Sequence, residues 1–174
     1  MSRRAGGTYG VSIVWGVDPG TTRVGISVFH VDKDEKSLLN IMLIDLTEED
    51  VEGRLGAIAK TTSFFADLYP PDIVGMEKLV WGRNVTTALS VAEARGVMKY
   101  IFSLYNASIV ECLPKVVKSA VGAYMFGKGK DAVREAVVQV FSDNIRATGV
   151  PWYAIIDDVI DAVAIALAVI EGDC

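Results

Sequence analysis

The chain has 174 residues, 51% of them apolar, enough for one domain with a full core and too few for two. Its longest unbroken apolar run, Ala162 to Ile170, falls far short of the roughly 20 residues of a membrane span, and Met1 to Gly10 lacks the apolar stretch of a secretory leader. The net charge of −5 argues against a generic polyanion binder, and a lone histidine, His30, all but excludes a histidine-based zinc site or a Ser-His-Asp triad.

In chain order, Met1 to Gly10 reads as a flexible arm and residues 11–174 as a single domain. Val11 to Val17, Val24 to Val31 and Leu38 to Leu46 are apolar runs joined by short turns, the pattern of an antiparallel three-strand meander. Acids at Glu48 to Asp50 lead into a helical pattern that stops before Pro70-Pro71, and Ile73 to Met76 is a short fourth strand ending on Glu77. Asn84 is placed to cap a long helix to about Tyr105, with apolar positions Ala88, Val91, Ala92, Val97, Ile101 and Leu104. Ser108 to Cys112 forms a fifth strand, Pro114 opens a short helix, and Gly122 to Lys130 reads as a basic loop. Helices over Asp131 to about Ile145 and Ile156 to Ile170 complete the chain. Three meandering strands followed by strand–helix alternation give an α/β fold, a mixed five-stranded sheet with helices on both faces. Cys112 and Cys174 lack metal-type spacing and are expected as a reduced core residue and a tail residue, as in an intracellular protein.

Charge is unevenly placed. Glu77 to Arg134 holds nine Lys/Arg against four Asp/Glu, whereas the remainder holds eight against eighteen. The middle third is therefore where anionic partners would be met, solvated helix faces being the plain alternative.

Asp18 ends a buried strand and Glu77 ends another, and an ionised carboxylate there is costly to desolvate unless cations or donors meet it. In the last helix Asp161 shares a face with both Asp157 and Asp158, at four and three residues. Attraction to a helix N-terminus, worth about 0.3–1 kcal/mol, explains Asp157 or Asp158. It explains Asp161, deeper in an apolar surround, poorly. Two strand-end carboxylates and a helix-borne pair make an oxygen-only donor set suited to Mg²⁺ or Mn²⁺, with two ions per site able to act on a phosphodiester.

These residues stand in segments that together resemble the RuvC family of Holliday-junction resolvases, of RNase H-like fold, from about Ile13 to Ile170. The segments are Gly16-Val17-Asp18-Pro19-Gly20, Met76-Glu77 with Asn84 and Ala88-Leu89, Ala94-Arg95-Gly96-Val97, Pro114 with Val117-Lys118, and Asp158 to Asp161 with Ala162 and Ala164-Ile165-Ala166. The resemblance implies Asp18, Glu77, Asp158 and Asp161 as metal-binding catalytic acids. Asp157 is the alternative to Asp158. It further implies Lys118 and Lys130 near the scissile phosphate, and a homodimer paired through the helix around Ala88 to Tyr100. Two sites on a two-fold axis match a four-way DNA junction. A branch-migration helicase complex is a candidate partner, and the expected location is the cytoplasm, with the nucleoid. Trp81, Arg83, Lys118, Lys128 and Lys130 form the expected DNA-contacting set. The family's stacking aromatic lies three residues after the second acid, where this chain has Val80; Trp81 beside it reads either as its replacement, worth about 1–3 kcal/mol per base, or as a packing residue.

Two other functions fit parts of the chain. Asp18 to Thr22 also matches the phosphate-binding first strand of actin-like and sugar-kinase ATP-binding proteins, which need a second similar half that 174 residues do not supply. A non-catalytic or RNA-directed RNase H-like relative is the other.

Overall fold

The computed structural model describes residues 11–33, 35–79, 85–125, 130–147 and 157–174. Strands β1 (Ser12–Pro19), β2 (Arg23–Asp32) and β3 (Glu35–Asp45) form the expected meander, and β4 (Ile73–Glu77) and β5 (Ser108–Cys112) extend the sheet on the other side of β1. The order is β3-β2-β1-β4-β5, with β1 antiparallel to β2 and parallel to β4. As the central strand, β1 is covered on both faces, which is why Val14 to Val17 are all buried and the sequence there runs apolar without alternation.

Helices α1 (Val51–Leu68) and α2 (Val85–Leu104) cover one face, closing a core of Trp15, Val17, Ile26, Met76, Met98 and Phe102. Helices α3 (Pro114–Ala120), α4 (Lys130–Ala147) and α5 (Asp157–Ile170) cover the other, around Val14, Phe29, Cys112, Val133 and Ile165. Asp50 caps α1, its carboxylate accepting from the Gly53 N–H at 2.7 Å, and Pro114 occupies the first turn of α3. The 3-10 turn Ala123–Met125 lies within the segment expected as a loop. The expected Asn84 cap, residues 126–129 of the expected Gly122 to Lys130 loop, and residues 148–156 lie outside the described residues.

Helix α5 lies directly on the sheet because small residues clear its path. A Cβ at Gly25 would stand 1.9 Å from the Asp158 carbonyl oxygen, and one at Gly16 2.0 Å from that of Ala162. Ser27 Oγ then donates to the Ala162 carbonyl at 3.0 Å, fixing the helix along its length.

Two expectations are corrected. Cys112 and Cys174 are joined in a disulfide 62 residues apart, not held as separate thiols. The chain turns back after α5 at Gly172, where φ is +77°, and Asp173 N–H bonds to the Ala168 carbonyl, so the tail returns to the sheet. The inward face of α2 is only in part the one expected: Ala88 and Ile101 are buried and Val97 packs against the core, but Ala94, Arg95, Met98 and Phe102 are buried with them, while Leu104 is 61% exposed.

Candidate active site

Side chains alternate faces along a strand. Asp18 therefore shares the face of Gly16, and Glu77 that of Gly75; both glycines lie under α5. Register carries the two acids to the same end of the sheet, since Val17 pairs with Met76 just before each of them. Asp18 is also opposite Gly25, over which the Asp158 carbonyl sits, so the first turns of α5 begin beside the end of β1. Geometry thus gathers acids that are 143 positions apart in the sequence, from Asp18 to Asp161.

The result is a cleft of about 250 Å³ lined by Asp18, Glu77 and Asp161, with Lys118 from α3 and a wall of Pro114, Val117, Val133 and Ile165. The three acids are half-buried and Lys118 is exposed. Three carboxylates against one ammonium make the cleft acidic, and a phosphodiester would be repelled from it unless cations intervened.

Asp158 is half-buried but does not line the cleft. Its neighbour Asp157 is engaged elsewhere, accepting from Arg134 Nη1 of α4 at 3.2 Å, a tie between the last two helices. Among the described residues no three acidic, histidine or cysteine side chains come close enough to hold an ion by themselves. The donor chemistry nevertheless suits Mg²⁺, which keeps several waters and is commonly bound through one or two carboxylates plus substrate phosphate rather than by an all-protein cage. Of the expected DNA-contacting residues, Trp81, Arg83 and Lys128 lie outside the described residues, as does the side chain of Lys130, which opens α4.

Behind the cleft is a residue whose role sequence reasoning did not assign. Arg95 is 5% exposed, a cation on the apolar face of α2, and its guanidinium bonds the Glu77 carbonyl oxygen and, at 2.6 Å, Glu111 Oε1. Lys99 reaches the same Glu111 oxygen at 2.6 Å. The hydrogen bond from Lys99, reinforced by the charges of Lys99 and Arg95, holds the Glu111 carboxyl below its ordinary range despite some desolvation. Seven residues after Ala88, a charge on the buried stripe was the available signal.

The family model for crossover junction endodeoxyribonuclease RuvC matches residues 14–169. A crossover junction endodeoxyribonuclease RuvC of Prochlorococcus marinus subsp. pastoris is 33% identical over 153 residues, 87% of this chain and 92% of its own. Among solved structures, Thermus thermophilus RuvC in complex with Holliday junction substrate matches with a TM-score of 0.72 at 23% identity, over 90% of this chain and 91% of that one. The yeast mitochondrial Holliday junction resolvase Ydc2 matches with a TM-score of 0.70 at 13% identity, over 97% and 83%. The two structural matches bear on the fold, which has the five-stranded mixed sheet and two-sided helical cover expected from the sequence.

Proposed function

The chain belongs to the crossover junction endodeoxyribonuclease RuvC family, and from that premise we propose that it cuts four-way DNA junctions by hydrolysing phosphodiester bonds. The observation that carries the proposal is the convergence of Asp18, Glu77, Asp161 and Lys118 on one cleft. Asp18, Glu77 and Asp161 would hold divalent metal, Mg²⁺ or Mn²⁺, and two ions are the arrangement suited to an oxygen-only donor set; Asp158, which the resemblance implies as a fourth ligand, does not line this cleft. Bound there, such ions would supply charge neutralisation for the phosphate and activation of the attacking water.

The chain's own residues do the positioning. Asp18 and Glu77 are fixed by the ends of paired strands, so their carboxylates need little reorganisation. Lys118, in the last turn of α3, offers an ammonium to a non-bridging phosphate oxygen. The apolar wall of Val117, Val133 and Ile165 limits water on one side of the cleft.

A homodimer fits the solvent face of α2. Val85, Leu89, Tyr100 and Leu104 are each more than half exposed and recur at helical spacing opposite the buried face, a stripe suited to a second copy of the chain. Two copies about a two-fold axis would present two clefts to opposite strands of a junction.

The test is incubation with a synthetic four-way junction and Mg²⁺ or Mn²⁺, with linear duplex and single strands as controls. Paired nicks in the junction are expected, and they are lost in Asp18→Asn and Glu77→Gln while junction binding survives. Cleavage undiminished in both variants would remove the mechanism. An ATP-binding role of the actin-like kind loses its footing with the family assignment, since the Asp18 to Thr22 pattern is accounted for by the family's own first strand.

A further inference from the structure

Arg95 is, we infer, a positioning residue for Glu77: its guanidinium fixes the main chain of the acid from behind, so that the carboxylate meets the cleft it shares with Asp18 and Asp161. This inference rests on the reading of Glu77 as a metal ligand.

Five observations support it. Arg95 is one of three buried polar or charged residues identified among those described, and its neighbours on the inward face of α2 are Ala88, Ala94, Met98, Ile101 and Phe102, which an apolar side chain would join more cheaply. The guanidinium divides between two partners, Nη1 to the Glu77 carbonyl oxygen and Nη2 to Glu111 Oε1. Those partners sit on adjacent strands at neighbouring register positions, because Met76 pairs with Glu111 and Glu77 with Cys112. The Glu111 end is anchored a second time by Lys99, one turn further along α2, whereas the Glu77 carbonyl takes its guanidinium from Arg95. Finally, Arg95 and Glu77 both line a second cleft of about 280 Å³, and Glu77 and Pro114 line both clefts, so Arg95 holds Glu77 from the side away from Asp18 and Asp161.

The chemistry requires arginine. A planar fork can serve a carbonyl and a carboxylate together, while an ammonium on a flexible stem presents a single point of charge. Lysine at this place would keep the buried charge and release one partner. With Glu77 loosened, the cost falls on metal affinity, and outer partners of metal ligands commonly matter by about 10- to 100-fold.

The experiment titrates Mn²⁺ into the full-length protein without DNA, by calorimetry, and measures in parallel the Mn²⁺ concentration for half-maximal junction nicking. Glu77→Gln is expected to weaken Mn²⁺ binding. Arg95→Lys should weaken it by about 10- to 100-fold and raise the Mn²⁺ needed for nicking in parallel, with metal-free junction binding unchanged. Lys99→Gln, which removes the other Glu111 partner and leaves the Glu77 contact, should retain wild-type Mn²⁺ affinity. If Arg95→Lys does not fold, Glu111→Leu takes its place and should weaken Mn²⁺ binding several-fold by removing the acceptor at the far end of the fork. Arg95→Lys with wild-type Mn²⁺ affinity, or Lys99→Gln as impaired as Arg95→Lys, would overturn the inference while leaving Glu77 a ligand. Glu77→Gln with unaltered Mn²⁺ binding would instead bring down the metal reading itself, and the role of Arg95 with it.

Discussion

The seat of α5 on bare sheet is the feature that brings the helix acids to Asp18, and Gly25→Ala is the smallest change that disturbs it. The new Cβ would stand 1.9 Å from the Asp158 carbonyl oxygen, and ordinary contact begins near 3.4 Å, so the first turn of α5 must rise by about 1.5 Å. Both atoms belong to or are fixed by the main chain, so no rotamer change relieves the clash. Overpacking of this kind costs about 1–3 kcal/mol, which in a domain of this size lowers Tm by about 2–4 °C per kcal/mol. The displacement reaches Asp158 and Asp161 directly, and a misplacement of about 1 Å can cost about 10²-fold in rate. Thermal unfolding followed by circular dichroism and single-turnover junction nicking measure the two effects. Gly56→Ala is the control, because its Cβ would meet nothing within 4 Å inside α1, and it should stabilise the protein by about 0.5–1 kcal/mol. A Gly25→Ala protein with wild-type Tm and nicking rate would refute the packing argument.

Lys118→Ala should slow nicking about 10²-fold while reducing the salt slope of junction binding by about one phosphate contact, read from nicking rates and binding titrations at several salt concentrations. Leu89→Asp places a charge in the middle of the exposed α2 stripe and should leave a folded monomer by analytical ultracentrifugation; an unchanged dimer would move the interface elsewhere. The Glu111 carboxyl is held below its ordinary value of 4.5 by Lys99 and Arg95. Its contribution to stability is therefore present above that value and is lost as pH falls through the lowered folded value. Glu111→Gln should flatten the acid limb of a urea stability profile relative to wild type; identical limbs would show that the ion pairs contribute nothing there.

The sheet was legible in the sequence because its signals are local. Apolar runs bounded by Pro19-Gly20 and the proline opening α3 fix most element positions within a residue or two, although β3 begins at Glu35, three residues before the apolar run that starts at Leu38. Asp18 and Glu77 stood out for the same reason, as charges ending apolar runs. That they meet Asp161 depends on register and on the clearance over Gly16 and Gly25, which follow from tertiary pairing rather than from any one segment. The α2 face was read correctly at Ala88 and Ile101 and misread at Leu104 because that helix is apolar on two sides: Leu104 belongs to the exposed stripe and Arg95 to the buried one. Local periodicity cannot tell a stripe that meets the core from a stripe left for another molecule. Nor could spacing pair Cys112 with Cys174, since the reversal at Gly172 that joins them lies beyond the last helix.

The central claim is that the acidic cleft is a metal site, and its most direct test is a crystal grown with Mn²⁺ and measured at an energy where manganese scatters anomalously. The account requires a peak between Asp18 and at least one of Glu77 and Asp161, abolished in Asp18→Asn. Saturating Mn²⁺ with no peak in that cleft, or with peaks only outside it, would contradict the account.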